Sequence, residues 1–274
     1  MNINFFKYCA TGNDFIIIDN RQEFYQAGNH LLWEKMCAKH TGIGADGVLL
    51  LESSKQADFR MRIMNADGLE VSMCGNGLRA LALMAYQDLK IKKVLDYKIE
   101  TKNGFYPVTM QENLISVEMT EFYDKDKISL IDFAKGLHHL YLNTGVPHCV
   151  LEVKNLKNFN VLSEAKKIRH DARFAQGTNV NFFEVISQEK QVVAVRTFER
   201  GVEDEVLSCG TGMTAVALAC AHFFNWKKQI TVQTAGGQVH IKFTDDYKKI
   251  FLVGPAFKVF AGDYLFAETP NLER

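Results

Sequence analysis

Proline is scarce in this chain, with 4 in 274 residues, and no low-complexity tract accompanies them. That excludes polyproline spacers and flexible arms, and it leaves any domain boundary inconspicuous. An excess of charge is lacking too. Lys and Arg total 32, matched by 32 Asp and Glu, so there is no electrostatic footprint for nucleic acid or an anionic membrane. No apolar run approaches bilayer length, and the N-terminus has no signal-peptide pattern. The 6 cysteines contain no C-x-x-C spacing, which argues against a zinc site and a secreted disulfide framework. The expectation is a soluble, cytoplasmic protein that holds no metal and binds neither nucleic acid nor membrane.

What the chain has instead is an internal echo. Met73-Cys74-Gly75-Asn76-Gly77-Leu78-Arg79-Ala80 is answered 135 positions later by Ser208-Cys209-Gly210-Thr211-Gly212-Met213-Thr214-Ala215. Thr11-Gly12 and Thr144-Gly145, Arg62 and Arg196, and Gly104 and Gly237 keep nearly the same spacing. Matched landmarks in one order argue for a duplicated domain, two homologous halves rather than a solenoid. The charged stretch Phe122–Lys127 is expected to be the linker, which gives domains of 1–120 and 121–262.

Each half reads mostly as short strands bounded by Gly, Asn or Asp. In the first half these are Phe15–Asp19, Val48–Leu51, Phe59–Met64, Tyr97–Thr101, Tyr106–Gln111 and Leu114–Met119. In the second they are His139–Leu142, His148–Val153, Val180–Val185, Val192–Phe198, Ile230–Thr234, Val239–Phe243 and Lys249–Val253. Surface helices are expected at His30–Lys39, Leu81–Asp88 and Ser163–Ile168. The segments after the two central cysteines, Leu78–Ala85 and Met213–Phe223, are apolar almost all round, as in a buried helix. A buried helix among strands implies a sheet curled around it, an α/β fold of α+β type with two pseudo-symmetric domains.

A thiol at a helix start is biased toward the thiolate by the helix dipole and unpaired N–H groups. Two such thiols, one from each half, suit the inversion of a carbon centre, which needs a base on one face and an acid on the other. Gly75, Asn76, Gly77, Gly210, Thr211 and Gly212 would offer backbone N–H groups to a substrate carboxylate. A structural disulfide between Cys74 and Cys209 is the competing reading. Cys9, Cys37, Cys149 and Cys220 read as core thiols. His148 alone could be a core histidine or a thiol partner, and Arg62 and Arg196 fit a shared salt bridge as well as catalysis. Gly42-Ile43-Gly44-Ala45-Asp46-Gly47 matches G-x-G-x-x-G in reversed context, after a helix and before a strand, so it reads as a turn and not as a dinucleotide site.

Gly12-Asn13-Asp14-Phe15, Asn65-Ala66-Asp67-Gly68, Cys74-Gly75-Asn76-Gly77, Gly145-Val146-Pro147-His148, Asn179-Val180-Asn181-Phe182, Glu199-Arg200-Gly201 and Cys209-Gly210-Thr211-Gly212 run from one end of the chain to the other. As an ordered set they resemble diaminopimelate epimerase. The resemblance implies cofactor-independent interconversion of LL- and meso-diaminopimelate, a step toward lysine and peptidoglycan. It implies that residues 263–274 return to the first domain. By position, Cys209 would take the proton from the LL isomer and Cys74 supply one to the other face. His148 and Glu199 would tune the thiols. Asn13, Asn65, Gly75, Asn76, Asn179, Glu199, Arg200, Gly210 and Thr211 would bind substrate. Two positions depart from the common pattern: Val146 stands where many members carry Asn, and Gly47 where some carry Gln. A related racemase of another amino acid is the alternative, and a small-anion binding protein a third reading. The substrate is a small amino acid, and the sequence admits a homodimer.

Overall fold

The computed structural model describes residues 1–91, 95–119, 138–174 and 177–266. The chain divides into two compact units, Met1–Met110 with the segment from Ala256 onward, and Gln111–Pro255. These bounds differ from those expected at 120 and 263. Leu114–Met119 hydrogen-bonds to Ile250–Gly254 in the second unit, and the returning strand already pairs from Phe257. The expected linker lies outside the described residues.

The first unit holds β1 (Asn2–Ala10), β2 (Asn13–Asp19), α1 (His30–Cys37), β3 (Gly47–Glu52), β4 (Phe59–Asn65), β5 (Glu70–Val71), α2 (Gly75–Gln87), β6 (Asp96–Thr101) and β7 (Gly104–Gln111). β1–β2 is antiparallel, β2–β3 parallel and β3–β4 antiparallel. β4 then pairs antiparallel with β5 and parallel with β6, and β6–β7 closes as a hairpin. β17 (Phe257–Leu265), the last described strand, lies antiparallel on the other side of β1.

The second unit holds β8 (Leu114–Met119), β9 (His139–Asn143), β10 (Pro147–Glu152), α3 (Val161–Arg169), β11 (Asn179–Ser187), β12 (Val192–Glu199), β13 (Asp204–Val206), α4 (Gly210–Phe224), β14 (Gln229–Thr234), β15 (Gly237–Phe243) and β16 (Ile250–Gly254). The pairing from β9 to β15 repeats that from β1 to β7 step for step, including the two parallel pairs β10–β11 and β12–β14.

A central helix fills the hollow of each sheet. α2 packs against β1, β2, β3, β4 and β17, and α4 against β9, β10, β11, β12, β14 and β15. Both helices are buried over most of their length, rich in Ala and Leu. Strand alternation sets the two faces of the sheet. On β3, Val48 and Leu50 join the α1 core with Trp33 and Met36, whereas Leu49 turns to the first turn of α2 beside Gly77. Asp88, the C-cap of α2, is held by Tyr8 of β1 and Lys258 of β17, which ties the returning strand to the central helix. No helix among the described residues is long and apolar enough to cross a membrane.

Candidate active site

Each central cysteine is the N-cap of its unit's buried helix. Cys74 and Cys209 both have extended backbone, and their carbonyls accept the first helical bonds, from Leu78 at 2.9 Å and Met213 at 2.8 Å. Gly75-Asn76-Gly77 and Gly210-Thr211-Gly212 form the first turns, which leaves their N–H groups at the positive end of the helix. All six cysteines are free; Cys74 and Cys209 are half-buried. Cys9, expected in the core, is half-buried too, and the other three are buried. Burial pushes Cys37 and Cys149 up to about 12 and raises Cys220 further, so they stay protonated.

Around Cys74 the structure brings together Asn13 and Asn76. Cys74 Sγ accepts a hydrogen bond from Gly77 N–H at 3.4 Å and lies 3.8 Å from Asn13 Oδ1, to which the thiol form donates. Asn76 Nδ2 donates to the same oxygen at 3.4 Å. Asn13 is oriented by Asp46, whose Oδ2 accepts from Asn13 Nδ2 at 2.6 Å and from the Asp14 N–H at 3.1 Å. Burial raises the Asp46 carboxyl, and these two bonds oppose that rise. Asp46 belongs to the glycine-rich turn that the sequence marked as structural. Its signal was an acid among glycines next to β2. Asn65 stands exposed at the end of β4, opposite Gly47 and outside this hydrogen-bonded group. A Cβ on Gly47 would meet the Met64 carbonyl at 2.5 Å, so a larger residue there needs a different strand contact.

The turn before Asn13 is under strain. Thr11 has φ +54, unusual for a β-branched residue, and its hydroxyl accepts from Arg79 on α2 at 2.8 Å. The second unit answers with Thr144, whose hydroxyl donates to the Thr211 carbonyl at 2.9 Å. Both Thr-Gly turns are thus fastened to the helix behind the cysteine.

In the second unit His148 is fully buried on β10. Asn181 Nδ2 donates to its Nδ1 at 3.0 Å, which places the ring proton on Nε2, a nitrogen with no partner among the described residues. Burial, and then the charge of Arg200, push His148 down to about 3, so it is a neutral imidazole. It can donate a hydrogen bond to a thiolate or a carboxylate but carries no charge to either. Asn181 accepts from the Thr197 hydroxyl at 3.0 Å and lies against Gly212, where a Cβ would meet its oxygen at 2.4 Å. Asn179 accepts from the Arg200 N–H at 2.8 Å and donates to the Pro147 carbonyl at 2.9 Å. Its amide therefore holds the backbone that presents Arg200. Glu199 and Arg200 are half-buried at the end of β12, and Cys209 Sγ is 3.5 Å from Thr211 Oγ1.

Arg62 and Arg196 are not at these helix ends. Each forms the same two-point ion pair across equivalent strands, Arg62 with Glu70 at 2.8 Å and Arg196 with Glu205 at 2.6 Å. Asn181, Asp46 and Arg79 are the residues that sequence reasoning passed over. Among the described residues no three His, Cys, Asp or Glu side chains cluster as metal ligands. A surface hollow of about 630 Å³ lined by Asp19, Arg21, Gln22, Phe24 and Ser53 contains none of the candidate residues.

A family profile described as diaminopimelate epimerase matches the chain in two stretches, residues 5–123 and 140–259. A diaminopimelate epimerase of Flavobacterium psychrophilum is 40% identical over 265 residues, covering 93% of this chain and 97% of the relative. One of Aquifex aeolicus is 35% identical, covering 95% and 97%. Among solved structures, a Bacillus anthracis phenazine biosynthesis protein of the PhzF family is similar with TM-score 0.75 at 20% identity, over 97% of this chain and all of that one. A probable proline racemase of Agrobacterium radiobacter K84 is similar with TM-score 0.68 at 14% identity, over 99% and 94%. At such identities the structural likenesses speak to the fold alone.

Proposed function

We propose that this chain, an isomerase because it belongs to the diaminopimelate epimerase family, interconverts LL- and meso-2,6-diaminopimelate by proton transfer between Cys74 and Cys209. The observation that carries this reading is the equivalent placement of the two cysteines, each half-buried at the N-cap position of a buried helix.

One thiolate removes the α-proton, and the electron pair left on carbon delocalises into the adjacent carboxylate. The opposite thiol then delivers a proton to the other face. No electrons leave the substrate and no cofactor is consumed. The two sulfurs exchange protonation states, so the reverse reaction starts from the other cysteine. With the LL isomer Cys209 is the base, and with the meso isomer Cys74 is.

The demanding step is charge build-up on the carboxylate. Backbone N–H groups of Gly75, Asn76, Gly210 and Thr211 at two helix N-termini are preorganised to stabilise it. His148, neutral and with its Nε2–H unspent, adds a donor without adding a fixed charge. Asn13 and Asn76 supply amide contacts, Arg200 a guanidinium fork for a carboxylate, and Glu199 an acceptor for an ammonium group. Asn65, exposed at the end of β4, and Asn179 complete the substrate-binding set. Such a reaction serves lysine and peptidoglycan precursor synthesis.

The test is exchange of the α-proton of LL-diaminopimelate in deuterium oxide, followed by NMR. Cys74→Ser and Cys209→Ser should each lose epimerisation by about 10²–10⁴-fold, the scale of a positioned acid or base. Near-full turnover in either variant would refute the two-base mechanism. Exchange with proline or glutamate but not with diaminopimelate would assign the chain to a different substrate.

A further inference from the structure

The buried helix α2 is apolar almost all round, with one charged exception. Arg79, one turn beyond Cys74, is completely buried. Its Nη2 donates to Thr11 Oγ1 at 2.8 Å and to Asn76 Oδ1 at 3.0 Å, both neutral. Among the described residues its Nε and Nη1 have no hydrogen-bond partner and no carboxylate pairs with it. A buried cation without a counter-charge is strongly disfavoured, so it is not a neutral feature of a hydrophobic helix.

Two acids lie within electrostatic reach of this guanidinium, Cys74 and Cys9. Cys9 on β1 is held up by burial and by the charges of Asp14 and Asp46, which keeps it a thiol. Cys74, half-buried at the helix end and already accepting from the Gly77 N–H, is the remaining acid. From the packed elements, β1 contributes Cys9, Tyr8 and Lys7, the last paired with Asp14 of β2. Asp46 precedes β3, and Lys258 of β17 is paired with Asp88 at the far end of α2. Leu49, Met61 and Ile63 on β3 and β4 are buried and apolar, so they screen nothing.

α4 is the internal control. The position equivalent to Arg79 is Thr214, 135 residues on, a neutral hydroxyl that bonds back to the Gly210 carbonyl at 2.9 Å. Beside the first turn of α4 stands neutral His148, which the charge of Arg200 beyond β12 reaches; Cys149, next along β10, packs in the α3 core on the other face of the strand. The duplicated helices therefore differ in one buried charge behind the cysteine, and in the cap bond that Gly77 N–H gives Cys74 while Cys209 makes no side-chain cap bond.

We infer that Arg79 is a positioning residue that supplies the counter-charge for a Cys74 thiolate, so that the resting protein carries its negative charge on Cys74 and a proton on Cys209. Interaction between desolvated charges is far stronger than between exposed ones, and a neighbouring arginine is a known cause of increased thiol ionisation. Asn13 Oδ1 receives the S–H when Cys74 is protonated, so both states of this sulfur have a partner. Resting on the two-base reading, the consequence is that the free protein is preset for the isomer whose α-proton faces Cys74.

The test reads ionisation rather than turnover, so its failure and the failure of the epimerase reading are distinguishable. The full-length chain is alkylated with iodoacetamide across a pH series, and modification of Cys74 and Cys209 is followed separately by peptide mass spectrometry. In the unaltered protein Cys74 should react with the lower pH midpoint. Arg79→Met should raise that midpoint by at least about one unit, a tenfold slower reaction on the acid limb, with Cys209 unmoved. Arg79→Lys should restore most of the shift, which a purely space-filling or turn-holding role would not do. A Cys209 midpoint below that of Cys74 in the unaltered protein overturns the assignment even if Arg79→Met fails to fold. So does a folded Arg79→Met with an unmoved Cys74 midpoint.

Discussion

Gly77 and Gly212 occupy the same place in the first turns of α2 and α4, yet they face different neighbours. A Cβ at Gly77 would lie 3.3 Å from a Leu49 methyl, which can give way. One at Gly212 would lie 2.4 Å from Asn181 Oδ1, the amide that orients His148 and accepts from Thr197. Gly77→Ala should change stability by less than about 1 kcal/mol, within the gain in helix propensity. Gly212→Ala should cost about 1–3 kcal/mol as an overpacked site. Urea midpoints decide the order, and equal losses would show that Asn181 can move away freely. His148 gives the corresponding pH signature. Its folded value is lowered from 6.5 to about 3, so between those limits the unfolded chain binds more protons. Stability then falls as pH drops through this window, by up to ~1.4 kcal/mol per unit. His148→Gln should flatten that slope in urea titrations, and an unchanged slope would place the dependence elsewhere. The two N-cap cysteines were legible in the sequence because Cys-Gly-x-Gly before an apolar run has a local cause. Arg79, Asp46 and Asn181 were not, since each acts through a neighbour brought from a distant strand.

The ion pairs on β4–β5 and β12–β13 show how a repeated element can serve stability alone. Arg196 also donates to the Leu156 and Phe159 carbonyls at 2.9 and 2.7 Å, and Arg62 has no equivalent carbonyl bonds among the described residues. Arg196→Met should therefore cost about 1–3 kcal/mol, from unsatisfied carbonyls as well as the lost pair, and Arg62→Met about 1 kcal/mol or less. Thermal midpoints of the two variants compare them directly. Most strands were readable from alternation, but β1 and β17 were not. β1 buries Ile3, Phe5 and Lys7 on successive alternate positions, then shifts register against β17 between Lys7 and Tyr8. A buried lysine followed by a bulge breaks the period-two pattern. β17 leaves Phe257, Val259 and Phe260 exposed, so no polar alternation marks it. β5 and β13 span two and three residues, too short for periodicity. α2 begins at Gly75 rather than at Leu78 because the cap, not helix propensity, sets its start.

At the scale of the whole chain, the repeat offset predicted the duplication, and the strand pairing of each unit follows one scheme. The boundaries were harder to read, because they are set by which sheet accepts β8 and β17 rather than by composition. β17 covers one side of β1 along its length and fastens the C-cap of α2. A chain ending at Pro255 should lose amide-exchange protection in β1 and α2 while β10–β12 keep theirs; equal loss in both units would show that the returning strand is not local in its effect.

That same strand sets an order on synthesis. The second unit is continuous from Gln111 to Pro255, whereas the first lacks its outer strand until residues beyond 256 have emerged. At about 5–20 residues per second, β1 waits on the order of ten seconds or more after leaving the ribosome with one edge open. Its neighbour α2, with a buried arginine behind its N-cap, lacks the Lys258 tie at its C-cap over the same interval. The half of the molecule that is made first is the half that is finished last, and during that interval its open strand edge is the part of the nascent chain most exposed to mispairing and in need of protection.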